Sequence, residues 1–415
     1  MRLVLNDYSG HPFQVQLSRE LARRGHQVRH VHCTSYRTGK GAVTVKADDP
    51  PGFSVETIDL GEEFDKYRYA RRIRQELRYA RLFRREVDLT GVDVVLCCNV
   101  PLLALDRVQR TIAGAGVPFV FWQQDVYSLA MADAARGALP VVGGAVGRRF
   151  VHIEQRVLRE SAAVVTISAD FEPLLTDWGV PPEHLHTVEN WAPLEDLPVR
   201  PRDNGWATAH GLGSRPVVLY AGTLGMKHDP SLLLVLAERL QDDADLLVVS
   251  EGQGVDWLAE QVADHGLTNV RFLPFQPMEA FPDVLASADV LVALLEPDAG
   301  AFSVPSKVLS YHCAGRPVLA AIPSANLAAR IVERAGSGIV VAPGDADALA
   351  EAGLSLVRDP ERRTQMGRAA RTYAEQTFDI QPIGDRFERI LAEVTGPGTT
   401  RGGPVARDPG EAETT

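Results

Sequence analysis

Short β-rich runs alternate with longer helical ones along this 415-residue chain, and the alternation occurs twice, on either side of a stretch with no periodicity. Alternation of this kind marks parallel sheets, because parallel neighbours must be joined by a crossover that a helix fills. In the first half Arg2–Asn6 reads as a strand, Phe13, Leu17 and Leu21 as the apolar side of a helix stopped by Gly25, and Gln27–Cys33 as the returning strand. Further strands at Val92–Cys97, Pro118–Trp122 and Ala163–Ile167, and a last short one over Thr187–Trp191, are spaced by helical stretches around 66–89, 102–114 and 145–160. Residues 192–214, rich in Pro, Gly, Arg and Asp, read as a linker. A second alternation runs through Val217–Ala221, Asp245–Ser250, Val270–Leu273, Val290–Leu295, Pro317–Ala321 and Gly338–Val341, then helix from Pro360 to about Glu393 with a break at Gln381-Pro382. The pattern predicts α/β domains over 1–191 and 215–380, a C-terminal helix over 381–395 packing back on the first, and a disordered tail over 396–415.

Open α/β sheets bind ligands beyond the carboxyl ends of their strands, so the loops after the strands are where chemistry is expected. After the first strand, Gly10 either supplies a backbone that can pass close to a ligand, with His11 as donor or base there, or makes a tight turn beside a solvated loop histidine. In the second domain Gly222-Thr223-Leu224-Gly225-Met226-Lys227 sets two glycines and a lysine after a strand, a pattern suited to a pyrophosphate and equally to a plain glycine turn. It is neither a P-loop nor a dinucleotide fingerprint. In Phe302-Ser303-Val304-Pro305-Ser306-Lys307, Ser306 is expected to cap a helix carrying Lys307 in its first turn. The helix dipole disfavours a cation there, which favours an anion beside it.

The formal charge is -11, yet residues 1–200 balance 25 basic against 25 acidic residues, leaving 18 against 29 in the remainder. With no overall phosphate-neutralising excess, the charge argues against a nucleic-acid partner and leaves local basic patches possible. Lys66–Arg85 nevertheless holds nine basic residues and one acid, with Ala70, Ile73, Leu77, Ala80, Phe83 and Val87 as an apolar stripe and Tyr67, Tyr69 and Tyr79 suited to an interface. Two readings stand: a surface helix with solvated arginines, or an interfacial helix on anionic lipid. The longest nearly apolar run, Val94–Leu105, is too short to span a bilayer, and the start lacks a leader-like apolar stretch. The four cysteines form no metal or redox spacing and read as reduced, buried thiols, so the expected location is cytoplasmic.

With these loops in place, the chain resembles the retaining nucleotide-sugar glycosyltransferases of family 4, which have the GT-B architecture of two Rossmann-like domains facing across a cleft. The resemblance runs from residue 1 to about 390 and rests on Arg24-Gly25-His26-x-Val28, Val188-x-Asn190-Trp191, the Gly222–Lys227 loop, Ser250-Glu251-Gly252-Gln253-Gly254, and Pro305-Ser306-Lys307 ending in Ala314-Gly315-Arg316-Pro317-Val318. The look is closest to the branch making bacterial O-antigen and capsule sugars, L-fucosamine transferases among them. It implies a metal-independent hexosyltransferase with no cofactor, whose co-substrate is a nucleotide-diphosphate sugar held by the second domain. The implied donor contacts are Gly222, Thr223, Gly225, Glu251, Gly252, Phe302, Ser303, Ser306 and Ser310. Lys227 and Lys307 are the implied diphosphate pair, Gln124 and Asp125 line the catalytic cleft, and Gly10, His11 and Trp122 face the acceptor. A lipid-linked acceptor is the one that membrane contact through Lys66–Arg85, on the inner face of the plasma membrane, would serve.

The sequence departs from the family at three points. The two glutamates of its E-x7-E motif fall on Phe302 and Ser310, the arginine of its glycine loop on Thr223, and the histidine that many members carry in the cleft is replaced within Trp122-Gln123-Gln124-Asp125. Two rivals therefore stand beside the transferase: a non-catalytic GT-B protein binding a sugar nucleotide or a partner, and a GT-B sugar-nucleotide epimerase.

Overall fold

A computed structural model of the chain describes residues 1–36, 43–65, 68–138, 141–225, 228–297 and 304–396. The first domain runs β1 (Arg2–Asp7), α1 (Pro12–Arg23), β2 (Gln27–Cys33), β3 (Phe53–Ile58), α2 (Tyr69–Glu86), β4 (Val94–Cys98), α3 (Leu102–Gly114), β5 (Phe119–Gln123), α4 (Tyr127–Ala138), α5 (Gly143–Arg159), β6 (Ala163–Thr166), α6 (Glu172–Asp177) and β7 (Leu185–Thr187). After α7 (Gly205–Ala209) the second domain runs β8 (Val217–Ala221), α8 (Ser231–Arg239), β9 (Asp245–Val249), α9 (Gln253–Asp264), β10 (Val270–Leu273), α10 (Phe281–Ala286), β11 (Val290–Leu294), α11 (Ser306–Ala314), β12 (Val318–Ala321), α12 (Leu327–Ala335), β13 (Gly338–Val341) and α13 (Ala346–Arg358). The chain closes with α14 (Pro360–Thr377) and α15 (Ile380–Thr395).

Strand order is β3-β2-β1-β4-β5-β6-β7 in one sheet and β10-β9-β8-β11-β12-β13 in the other, and the described pairs are parallel. Both sheets are of the Rossmann type, with the order reversing between β1 and β4 and between β8 and β11. The central strands β4, β5, β8 and β11 are buried along their whole length, as strands covered by helices on both faces must be. The edge strands β3, β10 and β13 are only partly covered.

α15 lies against the first domain. Arg24, just past α1, bonds Glu20 at 2.8 Å, Asp385 at 2.6 Å, Glu388 at 3.0 Å and the Gln381 carbonyl at 2.7 Å, while His26 meets Glu388 at 2.8 Å. The Arg24-Gly25-His26 segment thus holds the C-terminal helix. Beneath it the buried rings of Trp122 and Trp191 stack 5.6 Å apart, and Phe387 of α15 sits 4.7 Å from Trp122. Arg330 in the first turn of α12 pairs with Asp170, just after β6, at 2.5 Å, so the carboxyl edges of the two sheets face one another.

Several expectations are corrected. β3 and α4 lie in segments left unassigned; β3 is a half-exposed edge strand with polar residues, and α4 is built from small residues with a weak apolar stripe. The linker contains α7, capped by Asn204, whose Oδ1 accepts from Ala207 N–H at 2.9 Å. The last strand of the first domain is Leu185–Thr187 rather than Thr187–Trp191. The break between the final helices falls at Phe378-Asp379, with Asp379 capping α15, and Pro382 sits in the first turn of that helix, where it is tolerated.

The apolar stripe of α2 is also redrawn. Ala70 and Ile73 are exposed, whereas Gln75, Glu76, Tyr79, Ala80 and Phe83 face the core. Tyr79 is fully buried, its hydroxyl donating to Asn6 Oδ1 at 2.6 Å, so it cannot serve a surface. Tyr67 and Lys66 lie outside the described residues, as does the tail beyond Gly396.

Phe387 is enclosed by two tryptophans, so Phe387→Ala is expected to cost about 3–5 kcal/mol and to loosen α15. Urea unfolding followed by tryptophan fluorescence, with limited proteolysis of the C-terminal helix, measures both.

Candidate active site

The strand-order reversals create a crevice at the carboxyl edge of each sheet, and the loops there carry most of the expected residues. In the first domain, Asp7 ends β1 fully buried, and the loop after it wraps around its carboxylate. Ser9 N–H reaches Oδ1 at 3.1 Å, His11 N–H reaches Oδ2 at 2.5 Å, and Gly10 N–H meets the Asp7 carbonyl at 3.3 Å. Gly10 has φ +66, and the space a Cβ would take is closed by Val43 at 3.0 Å and His32 at 3.7 Å. Its glycine freedom therefore serves the tight turn, one of the two readings for this position.

Opposite, after β4, Asn99 is held at φ +54, a backbone conformation uncommon outside glycine. With the Gln14 amide oriented to satisfy its neighbours, Gln14 donates to Asp7 and accepts from Asn99, each at 2.9 Å. The cluster sets the entry to α1, where half-buried His11 lies 5.6 Å from the Phe13 ring. Neither Asp7 nor Asn99 was singled out in the sequence. A polar residue closing an apolar strand at a reversal point was the available signal.

Along the same edge, β5 ends in Trp122-Gln123 and continues into Gln124 and half-buried Asp125. Trp122 does not face an acceptor: its side chain is fully buried among Phe13, Trp191 and Phe387, because the alternation of strand side chains turns it into the core. Gln124 is 7% exposed, and its Oε1 accepts from Asn190 Nδ2 at 2.7 Å. Gln124 Nε2 and Asn190 Oδ1 are buried with no hydrogen-bond partner among the described residues, a donor and an acceptor left over at one place.

The loop is positioned from behind by Glu154 of α5. This buried carboxylate accepts from Ser128 N–H at 2.8 Å, Tyr127 N–H at 3.2 Å and Gln123 Nε2 at 3.4 Å, occupying the N-terminus of α4. Burial raises its pKa, and the N–H donors act in the opposite direction.

In the second domain the reversal brings Gly222 and Lys307 together. Gly222 has φ +122, and Lys307 Nζ lies 3.4 Å from where its Cβ would stand. Nζ sits 3.9 Å from the centroid of the Tyr220 ring, buried and, among the described residues, without a hydrogen-bond partner. Desolvation lowers the pKa of this amine to about 7. Half-buried Ser310 follows one turn later on α11. Ser306 begins the helix instead of capping it; Pro305 takes the cap position.

Two amides expected to be offered to a ligand are already used. Gly222 N–H donates to the Val249 carbonyl at 3.1 Å and Gly225 N–H to His228 Nδ1 at 3.1 Å. Thr223 is exposed, and its carbonyl accepts from the Tyr220 hydroxyl at 2.8 Å. Glu251 is exposed and accepts from Phe275 N–H at 3.2 Å, and Gly252, at φ +120, caps α9 against the Leu224 carbonyl. Lys227, Phe302 and Ser303 lie outside the described residues. Among the described residues no group of three or more His, Cys, Asp or Glu is placed to hold a metal, and no helix is long and apolar enough to cross a membrane.

Comparison with known proteins gives both domains relatives. Residues 11–191 match the glycosyl transferase 4-like domain family, and residues 207–373 match the group 1 glycosyl transferases. A putative colanic acid biosynthesis glycosyl transferase, WcaI of Escherichia coli, is 25% identical over 250 residues, 59% of this chain and 60% of that protein. A GDP-mannose-dependent monoacylated alpha-(1-6)-phosphatidylinositol monomannoside mannosyltransferase of Corynebacterium glutamicum is 30% identical over 203 residues, 47% of this chain and 52% of that one. The chain thus spans 60% or less of the length of these two curated relatives. Among solved structures, sucrose-phosphate synthase of Thermosynechococcus elongatus superposes with a TM-score of 0.72 at 16% identity, covering 95% of this chain and 99% of that one. Anabaena HepE in complex with UDP and glucose does so at 0.67 and 17%, covering 95% and 100%. At such identities these two likenesses speak for the GT-B fold.

Glu154→Ala leaves two helix-terminal amides and the Gln123 side chain without an acceptor in the interior. It is expected to cost about 2–4 kcal/mol and to release the Gln124 loop, seen as a lowered urea midpoint.

Proposed function

The chain belongs to the GT-B glycosyltransferases, with a 4-like domain followed by a group 1 domain, and from that premise we propose that it moves a sugar from a nucleoside-diphosphate sugar to an acceptor hydroxyl with retention, in making a cell-surface glycan. The observation that carries this reading is Lys307, whose buried amine has no hydrogen-bond partner among the described residues and lies beside a glycine at the crevice of the second sheet. Such a group is costly to keep unless an anion arrives to pair with it, and a diphosphate leaving group is such an anion. UDP is the first nucleotide to test, because the HepE structures hold UDP and UDP-glucose; GDP follows from the GDP-mannose-dependent relatives. The colanic acid relative supports the glycan assignment.

In the proposed reaction the bond from the anomeric carbon to the diphosphate oxygen breaks as the acceptor oxygen bonds the same face of that carbon. The acceptor proton passes to the departing diphosphate. No protein base is then required, consistent with Gln124 in place of a titratable side chain; its free Nε2–H is suited to a sugar hydroxyl. Lys307 stabilises the charge that grows on the diphosphate. Gly222, with no Cβ, leaves the space beside Nζ unfilled on its side, and in this reading Asp125 and His11 serve the acceptor side.

Release of nucleoside diphosphate from a panel of nucleotide sugars tests the reading. Lys307→Met is expected to lower kcat by about 10²–10³. Tight nucleotide binding with no turnover on any acceptor would instead favour a sugar-nucleotide-binding protein, the rival motivated by Ser310 standing where the family carries a glutamate.

A pH dependence follows from the same amine. As pH rises through about 7, free Lys307 loses its proton. A diphosphate binding above that pH must draw a proton in, and its apparent affinity falls by up to about tenfold per pH unit. Calorimetry at pH 8 in buffers of different ionisation heat is expected to show proton uptake that Lys307→Met abolishes. Because the folded pKa is lowered from 10.5, the unfolded chain binds the extra proton between about 7 and 10.5. Lys307 therefore makes stability rise with pH across that window, and the methionine variant gains most below it.

A further inference from the structure

The Val188-x-Asn190-Trp191 motif closes the first domain, and the proposed reaction gives its asparagine no task. Val188 N–H donates to the Thr166 carbonyl at 2.9 Å, which fixes the segment to the end of β6. Trp191 is locked in the core, its Nε1–H donating to Gln16 Oε1 at 2.8 Å and its ring stacked on Trp122. Between these anchors Asn190 meets the β5 loop, where Nδ2 donates to Gln124 Oε1 at 2.7 Å. Beyond Trp191 the chain runs onto the helix that carries Lys307. The Cys313 thiol of α11 lies 3.8 Å from the Ala192 carbonyl, and Arg371 of α14 donates to the Leu197 and Cys313 carbonyls at 3.1 and 2.8 Å.

Two carboxamides that share a single hydrogen bond leave one amide nitrogen and one amide oxygen over. Here these are Gln124 Nε2 and Asn190 Oδ1, both shielded from solvent and without a partner among the described residues. Turning both amides over exchanges their roles and leaves the count unchanged, a donor on one side chain and an acceptor on the other. That count selects the chemistry of whatever completes the pair. A phosphate or carboxylate offers only acceptors and an ammonium only donors, so each would leave half of the pair unmet. A hydroxyl accepts one hydrogen bond and donates another, and its single oxygen satisfies both amides. Gln124 is almost fully buried and Asn190 only half-buried, so a ligand enters from the asparagine side. An amide oxygen is far too weak a base to take a proton, so the hydroxyl held there is not the one that reacts.

We propose that Asn190 and Gln124 together read one non-reacting hydroxyl of the transferred sugar, and that Asn190 is a residue by which the chain selects that sugar. The occupant is the transferred sugar rather than the acceptor because residues 191–197 tie the pair to α11, whose Lys307 meets the diphosphate in the proposed reaction. The inference rests on the nucleotide-sugar reading above and adds a requirement to it: the hydroxyl must donate as well as accept. A sugar lacking it would leave two buried amide groups unmet in the complex, which penalises that sugar more than the loss of an ordinary exposed contact.

The test is calorimetric binding to the full chain of UDP-glucose or GDP-mannose, whichever binds more tightly, against its four monodeoxy forms and the free nucleoside diphosphate. One deoxy position is expected to lower affinity at least about tenfold, and the others less than about threefold. The monofluoro form at that position follows the deoxy form, because fluorine cannot donate. In Asn190→Ala and in Gln124→Met the parent sugar nucleotide binds more weakly and the sensitive deoxy form comes within about twofold of it. The free nucleoside diphosphate binds all three proteins alike, which also reports that the variants are folded. The proposal is overturned if no deoxy position stands apart, or if the same position stands apart undiminished in both variants, the result for an amide pair bridged by water. Discrimination without turnover would set aside the transfer reaction and leave the hydroxyl reader standing; turnover without discrimination would do the reverse. Failure to bind either nucleotide sugar overturns both.

Discussion

Parallel strand pairing is the constraint from which the rest of the molecule follows. A parallel neighbour can be reached only by carrying the chain back along the sheet, so each crossover is a helix and the loops that can hold ligands collect along one edge. Where the order reverses, at β1/β4 and β8/β11, adjacent loops leave in opposite directions and open a crevice. Two such sheets in one chain still need to be held face to face. The Arg330–Asp170 pair joins their edges, and α15 returns to the first domain, with Phe387 against Trp122 and Trp191 and the Arg24 cluster closing over it.

The two crevices treat buried charge in opposite ways. In the first domain, buried acids are matched to backbone donors: Asp7 gathers the Ser9 and His11 amides, Glu76 takes Leu103 N–H at the start of α3, and Glu154 takes the first amides of α4. Each carboxylate freezes a loop or helix entry on the crevice edge, at the cost of desolvation that its hydrogen bonds offset. In the second domain the buried charge is a lysine over the Tyr220 ring, with no hydrogen-bond partner among the described residues. A satisfied carboxylate is architecture, whereas an unsatisfied ammonium leaves a place for something negative, and the proposed donor chemistry rests on that asymmetry.

Charge on the outside follows a different logic. The balanced composition of residues 1–200 conceals a strong separation, because acids such as Asp7, Glu76 and Glu154 are spent in the interior while the arginines of α2, α3 and α5 stay at the surface. Electrostatics at long range therefore depends on which charges folding hides, and the first domain presents a positive face that a residue count does not reveal.

The sequence by itself determined the two-domain α/β plan, because continuous apolar runs such as those of β4 and β8 and helices of regular period are properties of neighbouring residues. It also marked Gly222 and Lys307, since glycine and lysine after a strand are local signals, whereas Gln124 was marked only through the family resemblance. It missed β3 and α4, whose patterns are weak because an edge strand and a small-residue hairpin need little apolar periodicity. It misjudged Trp122 and Tyr79, because whether a side chain meets solvent or core depends on what packs over it from distant segments: α15 over Trp122, Asn6 against Tyr79. Only the tertiary structure decided that Asn190 pairs with Gln124 and that Lys307 lies against Gly222 without a hydrogen-bond partner among the described residues. Those facts join residues 66 and 85 positions apart, beyond any periodicity a chain can display.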